Sequence, residues 1–571
     1  MNKKTRLFYV IIVIISIILS SRLFYLQVAK GEYYRELSLY RSVRILEETP
    51  MRGRILDRNG VVLAESIPTY ELVIIPEDMN AREKELSLLS RFIGMSVEEI
   101  EEILEQSGLP DYEEVKVKGS LTPEEVIKIE EHNYELPGIK VVLSSQRYYP
   151  FGEVGANFIG FIGAVTKEDL QSDSFYNYND IIGKQGIEMQ YEIALRGEKG
   201  KKEVLVDVMG RVKEVIYEEP SVMGHDIYLS IDINVQKELE KIIGDEDGVA
   251  IAMDPANGEI IAMVSHPTFD PNLFVKGISE SDYQKLLSKQ VFINRATQSS
   301  YPPGSTFKPL TLIAALSSNT IKPQTTVYCG NSVKIGGRVF KDWIYPAAFG
   351  LQTPAEALAN SSDVFFYTIG TRTGIEEIDK YASMFKITEP TGVDIPYETG
   401  GLLPTPEWKK DTYNESWYIG DTANISIGQG YLLVTPLEMA AFYSLIANEG
   451  VQYTPHFMLK IVSQDGKIVQ EYGKKERLRV EMSEEVIKTV KDGMEIFANQ
   501  SDMRILRVNN TRVCAKTGTA EAGKDIVHHW LISFAPYENP DVVGLVFFEK
   551  SNFRSSHSLA PFMRDLLKMF F

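Results

Sequence analysis

A serine and a lysine stand three residues apart in the segment SSYPPGSTFKPL, residues 299–310. If a helix begins at Ser305, Lys308 lies at position i+3, and such side chains share a face with Cβ atoms about 5–6 Å apart. A serine hydroxyl becomes a good nucleophile when a neutral lysine accepts its proton. Burial, a nearby cation or the positive end of a helix lowers a lysine pKa and so populates that neutral form. The pair predicts a serine nucleophile with a lysine base.

The residues before Ser305 support this interpretation. Pro302, Pro303 and Gly304 restrict and bend the entering chain, so the hydroxyl emerges at a helix start where backbone N–H groups can face a developing oxyanion. Taken alone, S-x-x-K is nevertheless short, and an N-cap serine followed by an ordinary surface lysine explains it more simply. The catalytic interpretation therefore depends on further motifs.

Two such motifs follow in order: Ser361 with Asp363 in NSSDVFFY, and KTGT at residues 516–519. Each has a plain alternative, a helix cap for the first and a surface turn for the second. In the catalytic interpretation, Ser361 relays a proton between the base and a leaving amine. Lys516 supplies the second cation that lowers the pKa of Lys308, and with Thr519 it can hold a carboxylate. Gly518, on a sheet-edge strand, leaves room for a peptide-like acyl group.

Composition limits the function classes. A chain of 571 residues suggests about three to four structural units, and 44% hydrophobic residues are ample for packed cores. The formal net charge of −19 argues against a nucleic-acid partner, because phosphate binding needs a basic surface. Cys329 and Cys514 are the two cysteines, and their separation makes a disulfide framework or a cysteine metal site improbable.

Residues 7–28 form an apolar run interrupted by one charge, Arg22, and preceded by Lys3, Lys4 and Arg6. As a helix this run would span roughly 33 Å and cross a bilayer. A signal peptide is the alternative, but no A-x-A-like cleavage site follows. The positive-inside rule then predicts a single-pass protein of the cytoplasmic membrane, with residues 1–6 in the cytoplasm and the remainder outside.

The elements beyond the anchor predict two further regions. Residues 51–66 contain a hairpin about Asn59-Gly60, residues 81–106 are amphipathic, and residues 121–132 begin with a capping box. Strand patterns at 248–265 and 512–548 enclose a long helical stretch, which predicts an α+β domain with an antiparallel sheet closed by both ends. We expect an elongated mixed α/β pedestal at 29–225 and a catalytic domain at 226–571.

The three motifs together are the signature of penicillin-binding proteins and class A β-lactamases. The chain resembles class B penicillin-binding proteins of the elongation type, called penicillin-binding protein 2. That resemblance runs from the anchor almost to the C-terminus through RGRILDRNGVVLA (52–64), GKQGIEMQYEIALRGEKG (183–200), NRATQSSYPPGSTFKPL (294–310), GLLPTPEWKK (401–410), ISIGQGYLLVTPLEMA (425–440) and HHWLISFAP (528–536).

The resemblance implies a peptidoglycan D,D-transpeptidase with a non-catalytic, dimerisation-like pedestal. Ser305 would attack the penultimate D-Ala of a stem peptide, with Lys308 as base and Ser361 and Asp363 along one wall. Lys516, Thr517, Gly518 and Thr519 would form the substrate-side strand. The N–H groups of Ser305 and Thr519 would form the oxyanion hole, and β-lactams would acylate the same serine. Polymerisation would fall to a polytopic shape-elongation glycosyltransferase.

Three departures from the family pattern affect this expectation. Asp363 stands where many relatives carry Asn, but elongation-type members often carry Asp at this position, which favours that subtype. Some members hold a metal through Asp, His and Cys, but here only Asp342 remains, with Phe349-Gly350 and Ser362 at the other positions, so we expect no metal and no cofactor. Adjacent residues on a strand face opposite ways, so at most one of His528 and His529 faces the cleft, and a structural role is favoured.

Three rival functions occur on the same fold. A β-lactam sensor or resistance protein usually carries a cytoplasmic signalling region, whereas about six residues precede the anchor here. A β-lactamase needs a deacylating carboxylate that this sequence does not identify. A division-type transpeptidase would share the chemistry. The GLLPTPEWKK segment and the S-x-D motif favour the elongation type.

Overall fold

The computed structural model describes residues 3–32, 43–177, 180–206, 212–521, 523, 526–551 and 555–571. The chain divides into two compact units, one made of residues 1–52, 67–146 and 196–224, and the other of 53–66, 147–195 and 225–571. This partition differs from the predicted boundary at 225, because residues 53–66 and 147–195 belong to the second unit. Buried Arg147 links these two segments: it pairs with Glu188 at 2.7 Å and donates to the Gly53 carbonyl at 2.6 Å. The division into domains 29–225 and 226–571 stays a prediction.

The N-terminus of the first unit is a helix, Lys3–Phe24, which continues through a π-helical turn, Tyr25–Ala29. Residues 6–29 contain an 18-residue window with a mean hydropathy of 2.5, none of which is buried. The segment is thus long and apolar enough to cross a bilayer. Residues 1 and 2 of the predicted tail lie outside the described residues.

Short helices and strands complete the first unit. The amphipathic stretch 81–106 forms two helices, Arg82–Ile93 and Val97–Gln106, because Gly94 ends the first in the left-handed region and Ser96 caps the second. The helix Pro123–Glu131 has the predicted capping box between Thr122 and Glu125. The remaining strands are Val43–Glu48, Gly200–Val206 and Val212–Glu219 in one antiparallel sheet, with Val115–Lys118 and Ile139–Tyr148 pairing with Val62–Ile74.

A sheet of the second unit contains the predicted hairpin about Gly60, whose φ is +84°. Strand Ile55–Leu56 pairs with the start of Val62–Ile74 on one side and, in parallel, with Asp226–Leu229 on the other. Strands Met458–Val462 and Ile468–Glu471 extend this sheet. Four two-stranded antiparallel sheets pair Ile162–Ala164 with Ile181–Gly183, Val327–Cys329 with Gly350–Gln352, Ser332–Ile335 with Arg338–Lys341, and Val451–Tyr453 with Glu476–Arg479.

A five-stranded antiparallel sheet lies at the centre of the second unit. Its order is Ile260–His266, Gly248–Met253, Val542–Phe548, Val527–Ala535 and Cys514–Glu521. The two ends of the region therefore meet in neighbouring strands, as the sequence predicted, and the KTGT strand lies at an edge. The α+β class is confirmed.

Helices cover both faces of this sheet. Val249 and Ile251 belong to one core cluster, while Ala250 and Ala252 belong to another, as the two-residue period of a strand requires. The α-helices are Ala156–Ile159, Lys167–Ser172, Gly186–Gln190, Glu192–Arg196, Ile233–Ile243, Asn272–Lys276, Glu280–Ser288, Arg295–Gln298, Lys308–Ser317, Pro354–Ala359, Asp363–Thr373, Ile375–Met384, Pro406–Tyr413, Ile419–Ser426, Pro436–Ala447, Glu484–Ala498 and Ala560–Leu567.

Candidate active site

Ser305 lies in a 3₁₀ turn, Gly304–Phe307, that leads directly into the helix Lys308–Ser317. Residues three apart are nearly eclipsed in a 3₁₀ turn, so the serine and lysine share one face as predicted. Pro309 is at the first turn of the helix, where its missing N–H matters little. Ser305 is half-buried and lines a cleft, whereas Lys308 is fully buried beneath it.

Close backbone packing holds this turn. Gly304 has φ +55°, its N–H donates to the Gly428 carbonyl at 2.9 Å, and a Cβ built on it would lie 2.7 Å from the Thr519 oxygen. A Cβ on Gly518 would lie 2.6 Å from the Pro303 oxygen. The Ser305 turn therefore occupies the Cβ direction of Gly518. Room for a peptide-like acyl group along the open edge of this strand stays a prediction.

One wall of the cleft, which we call the helix wall, consists of Lys308, Ser361 and Asp363. The Lys308 ammonium donates to the Ser361 carbonyl at 2.6 Å, the Ser361 hydroxyl at 3.1 Å and the Asp363 carboxylate at 2.7 Å. Three acceptors match the three protons of a charged lysine. Ser361 has a φ of +54°, uncommon for a residue with a side chain and typical of a functional position.

The opposite wall, which we call the strand wall, consists of residues 516–519 in the strand Cys514–Glu521. Lys516 is fully buried and donates to the Ser361 hydroxyl at 3.0 Å and the Thr517 carbonyl at 3.2 Å. Burial, and then the charge of Lys308, hold the pKa of Lys516 well below its usual value. Both lysine amines meet at one hydroxyl, that of Ser361, which can accept two hydrogen bonds and still donate its own proton.

The rest of the strand wall faces the cleft. Thr517 and Thr519 line it together with Ser305, Ser361 and Asp363. The structure thus brings together all the predicted site residues, with Lys308, Lys516 and Gly518 beneath the cleft surface. Other lining residues include Lys341, Trp343, Phe349, Asn360, Tyr367, Asn424, Gln429, Gln500, Asp502, Glu521, Ser556 and His557.

The region around Asp342 does not fit the metal site of some relatives. The Ser362 hydroxyl donates to the Asp342 carboxylate at 2.9 Å, and the Val364 N–H donates to the same oxygen at 3.0 Å. Burial raises the pKa of the neighbouring Cys329 thiol, which favours the protonated form over a thiolate ligand. Across the residues the structure describes, no three His, Cys, Asp or Glu side chains group as metal ligands.

The adjacent histidines are both buried and neither lines the cleft. His528 packs against the rings of Tyr301 and Phe547, and burial lowers its pKa. The Nδ1 atom of His529 lies 2.9 Å from the Ser556 hydroxyl, which in turn contacts Thr519. Sequence reasoning missed Ser556, because it belongs to no recognisable motif and reaches the strand wall only through the fold.

Two family models match the chain. Residues 47–229 match the penicillin-binding protein dimerisation domain, and residues 248–568 match the penicillin-binding protein transpeptidase domain. The second match alone covers more than half of the sequence. The chain therefore belongs to the penicillin-binding proteins.

Individual relatives refine this assignment. The peptidoglycan D,D-transpeptidase MrdA of Haemophilus influenzae is 32% identical, over 99% of this chain and 91% of its own. A Helicobacter pylori penicillin-binding protein 2, solved in complex with MreC, superposes with a TM-score of 0.82 at 27% identity, covering 92% of this chain and 98% of its own. A chain from a peptidoglycan synthase complex that coordinates polymerization and crosslinking has a TM-score of 0.73 at 27% identity. The match covers 100% of this chain and 98% of that chain. The class B, penicillin-binding protein 2 type predicted from the sequence is confirmed.

Proposed function

We propose that this chain is a peptidoglycan D,D-transpeptidase that cross-links stem peptides during cell-wall elongation through an acyl-enzyme at Ser305. The observation that carries the proposal is the meeting of Lys308 and Lys516 at the Ser361 hydroxyl, at 3.1 and 3.0 Å, under a cleft lined by Ser305. Two buried lysine amines that share one hydroxyl repel each other when both are charged, and a neutral amine is what the serine needs.

Acylation needs a neutral Lys308. The amine must therefore first lose one of the three protons that it donates to Ser361 and Asp363. The Ser305 oxygen then bonds to the penultimate D-Ala carbonyl carbon while its proton passes to the Lys308 nitrogen. Collapse of the tetrahedral intermediate breaks the C–N bond. The departing D-Ala amine takes a proton from Lys308 through the Ser361 hydroxyl.

Deacylation uses the same groups in reverse. An amine on a neighbouring stem peptide attacks the Ser305 ester carbonyl and gives its surplus proton to Lys308 through Ser361. The new C–N bond is the cross-link, and Ser305 recovers its proton from Lys308 as the C–O bond breaks. Asp363, 2.7 Å from Lys308, holds that amine in place throughout.

The strand wall orients the substrate. The main-chain nitrogen and oxygen of Thr519 both lie beside Gly304, next to the nucleophile. The N–H groups of Ser305 and Thr519 would then stabilise the oxyanion, and Lys516 and Thr517 would hold the terminal carboxylate of the stem peptide. A β-lactam, which presents a similar carbonyl and carboxylate, would acylate Ser305 in the same way.

The membrane segment and the relatives suggest where this reaction occurs. The basic residues Lys3, Lys4 and Arg6 precede the apolar helix, which favours a cytoplasmic N-terminus and an extracytoplasmic remainder. A relative of similar fold belongs to a complex that couples polymerization to crosslinking. We therefore expect a polytopic membrane glycosyltransferase as partner, with residues 29–225 as pedestal and 226–571 as transpeptidase domain.

Labelling with a fluorescent penicillin tests the proposal on the full-length protein in detergent. We expect stable, stoichiometric labelling of the wild type, none of Ser305→Ala, and wild-type labelling of Ser300→Ala on the same approach segment. The wild type should also release D-Ala from a stem pentapeptide in the presence of an acceptor amine. Labelling of Ser305→Ala would refute the nucleophile, and rapid loss of the label would indicate a β-lactamase.

A further inference from the structure

The hydroxyl of Ser556 lies at the centre of a buried hydrogen-bond cluster behind the strand wall. It donates to the Gly518 carbonyl at 2.5 Å, lies 2.6 Å from the Thr519 hydroxyl, and lies 2.9 Å from Nδ1 of His529. Ser556 and His529 are 2% and 1% exposed, so water does not supply these bonds. The cluster borders the cleft at Ser556 and Thr519, and its hydrogen bonds to the strand wall are made to residues 518 and 519.

The protons in this cluster can be assigned by counting. A carbonyl oxygen only accepts, so the single hydroxyl proton of Ser556 is donated to Gly518. The Ser556 oxygen then has two lone pairs, and the two remaining contacts must be donors. Thr519 donates its hydroxyl proton to Ser556, and His529 donates from Nδ1, which fixes its protonation at that atom.

Ser556 therefore holds the peptide bond between Gly518 and Thr519 by its carbonyl end. The Gly518–Thr519 peptide bond is trans, so its N–H points in the direction opposite to its C=O. That N–H belongs to Thr519, whose nitrogen would lie 3.3 Å from a Cβ built on Gly304 beside the nucleophile. A hydrogen bond at the carbonyl end also polarises the amide and strengthens its N–H as a donor.

We propose that Ser556, itself oriented by His529, is a positioning residue for the oxyanion hole, acting through the Gly518–Thr519 peptide. This inference rests on the proposed function, in which the Thr519 N–H stabilises the oxyanion. Ser556 touches neither substrate nor nucleophile in this role. It aims and polarises the donor, so its effect falls on the rate of acylation and not on ligand binding.

Rapid-mixing kinetics with benzylpenicillin separates an effect on binding from an effect on the rate of acylation. The experiment gives both the dissociation constant of the initial complex and the acylation rate constant. Removal of one oxyanion donor typically slows catalysis about 100- to 1,000-fold, and misdirection of a donor costs less. For Ser556→Ala we expect the acylation rate constant to fall about 10-fold, with a dissociation constant within about twofold of wild type. Affinity for a peptide boronic acid, whose serine adduct carries an oxygen in the oxyanion hole, should fall in parallel.

Conservative variants distinguish this role from a purely structural one. Ser556→Thr keeps the hydroxyl and should restore the rate constant, whereas Ser558→Ala, an exposed serine of the same turn, should match wild type. His529→Asn places an amide N–H near the position of Nδ1 and should retain most activity, whereas His529→Leu should behave as Ser556→Ala does. If Ser556→Ala fails to fold, the comparison of the two His529 variants decides between the two roles.

An unchanged acylation rate constant in Ser556→Ala, or a weaker dissociation constant with an unchanged rate constant, would overturn the inference. Equal losses in His529→Asn and His529→Leu would do the same. These outcomes are distinct from failure of the proposed function, which shows as penicillin labelling of Ser305→Ala.

Discussion

The two walls of the cleft differ in the kind of atom that forms them. The helix wall consists of ionisable and hydroxyl side chains, with Lys308 bonded to both Ser361 and Asp363. The strand wall has one ionisable side chain, Lys516, and its main chain packs against main chain where Gly518 meets the Ser305 turn. The helix wall can therefore change its protonation state within a fixed framework, while the strand wall provides that framework. Catalysis of acyl transfer needs both, because proton transfer and oxyanion stabilisation are separate contributions.

Removal of the base, Lys308, should have the largest effect, because it takes the proton acceptor out of the helix wall. We expect Lys308→Met to lower the penicillin acylation rate constant about 1,000-fold, since a general base typically contributes 100- to 10,000-fold. Lys491→Met is the matched control, because Lys491 is also buried and paired with a carboxylate, Glu449, outside the cleft. A control that loses acylation as severely as Lys308→Met would show that burial of a lysine, and not its position, explains the result.

A methyl group on Gly518 should damage the strand wall to a smaller extent. Its Cβ would lie 2.6 Å from the Pro303 oxygen, so the Ser305 turn must move away from the strand. We expect Gly518→Ala to slow acylation about 100-fold and to destabilise the protein by about 1–3 kcal/mol, as overpacking usually does. Gly473→Ala, where no atom lies within 4 Å, should change neither the rate nor the melting temperature. Normal acylation by Gly518→Ala would mean that the turn and the strand need not touch.

The pH dependence of stability should give the smallest effect and tests the one ionisable group of the strand wall. The pKa of Lys516 is well below 10.5 in the folded protein, so between its folded and unfolded pKa values the unfolded chain binds one more proton. The free energy of unfolding therefore rises with pH in that interval, by roughly 1.4 kcal/mol per pH unit for this residue. Urea unfolding of wild type and Lys516→Met at several pH values up to about 10 should show this slope in wild type alone. Parallel pH profiles would mean that Lys516 keeps its ordinary pKa.

Much of the fold could be predicted because local signals and tertiary structure agree. The Asn59-Gly60 turn, the Thr122 capping box and the apolar run at 7–28 each depend on residues close in sequence. The break of the helix at Gly94 was missed, since amphipathic periodicity continues across it. The inclusion of residues 147–195 in the second compact unit was also not predictable, because it depends on buried Arg147 reaching Gly53 and Glu188.

The site could be predicted as far as its motifs extend. Ser305 and Lys308 are linked by helical spacing, and the resemblance supplied the grouping with Ser361 and Lys516. Spacing cannot show which atoms lie behind a residue, so the contact of Gly518 with the Ser305 turn and the position of Ser556 were not identified. Both depend on contacts between segments far apart in the chain, to Pro303 in one case and to the KTGT strand in the other.

The strand order of the central sheet has a consequence for synthesis of the protein. Strand Cys514–Glu521 reaches strand Gly248–Met253 only through Val527–Ala535 and Val542–Phe548, so a ribosome must release nearly 300 residues after the first of these strands before the last can dock. Until then the nucleophile has no opposite wall. We therefore expect a nascent or prematurely ended chain to lack acyl-transfer activity, which should arise only in a polypeptide translated almost to its final helix.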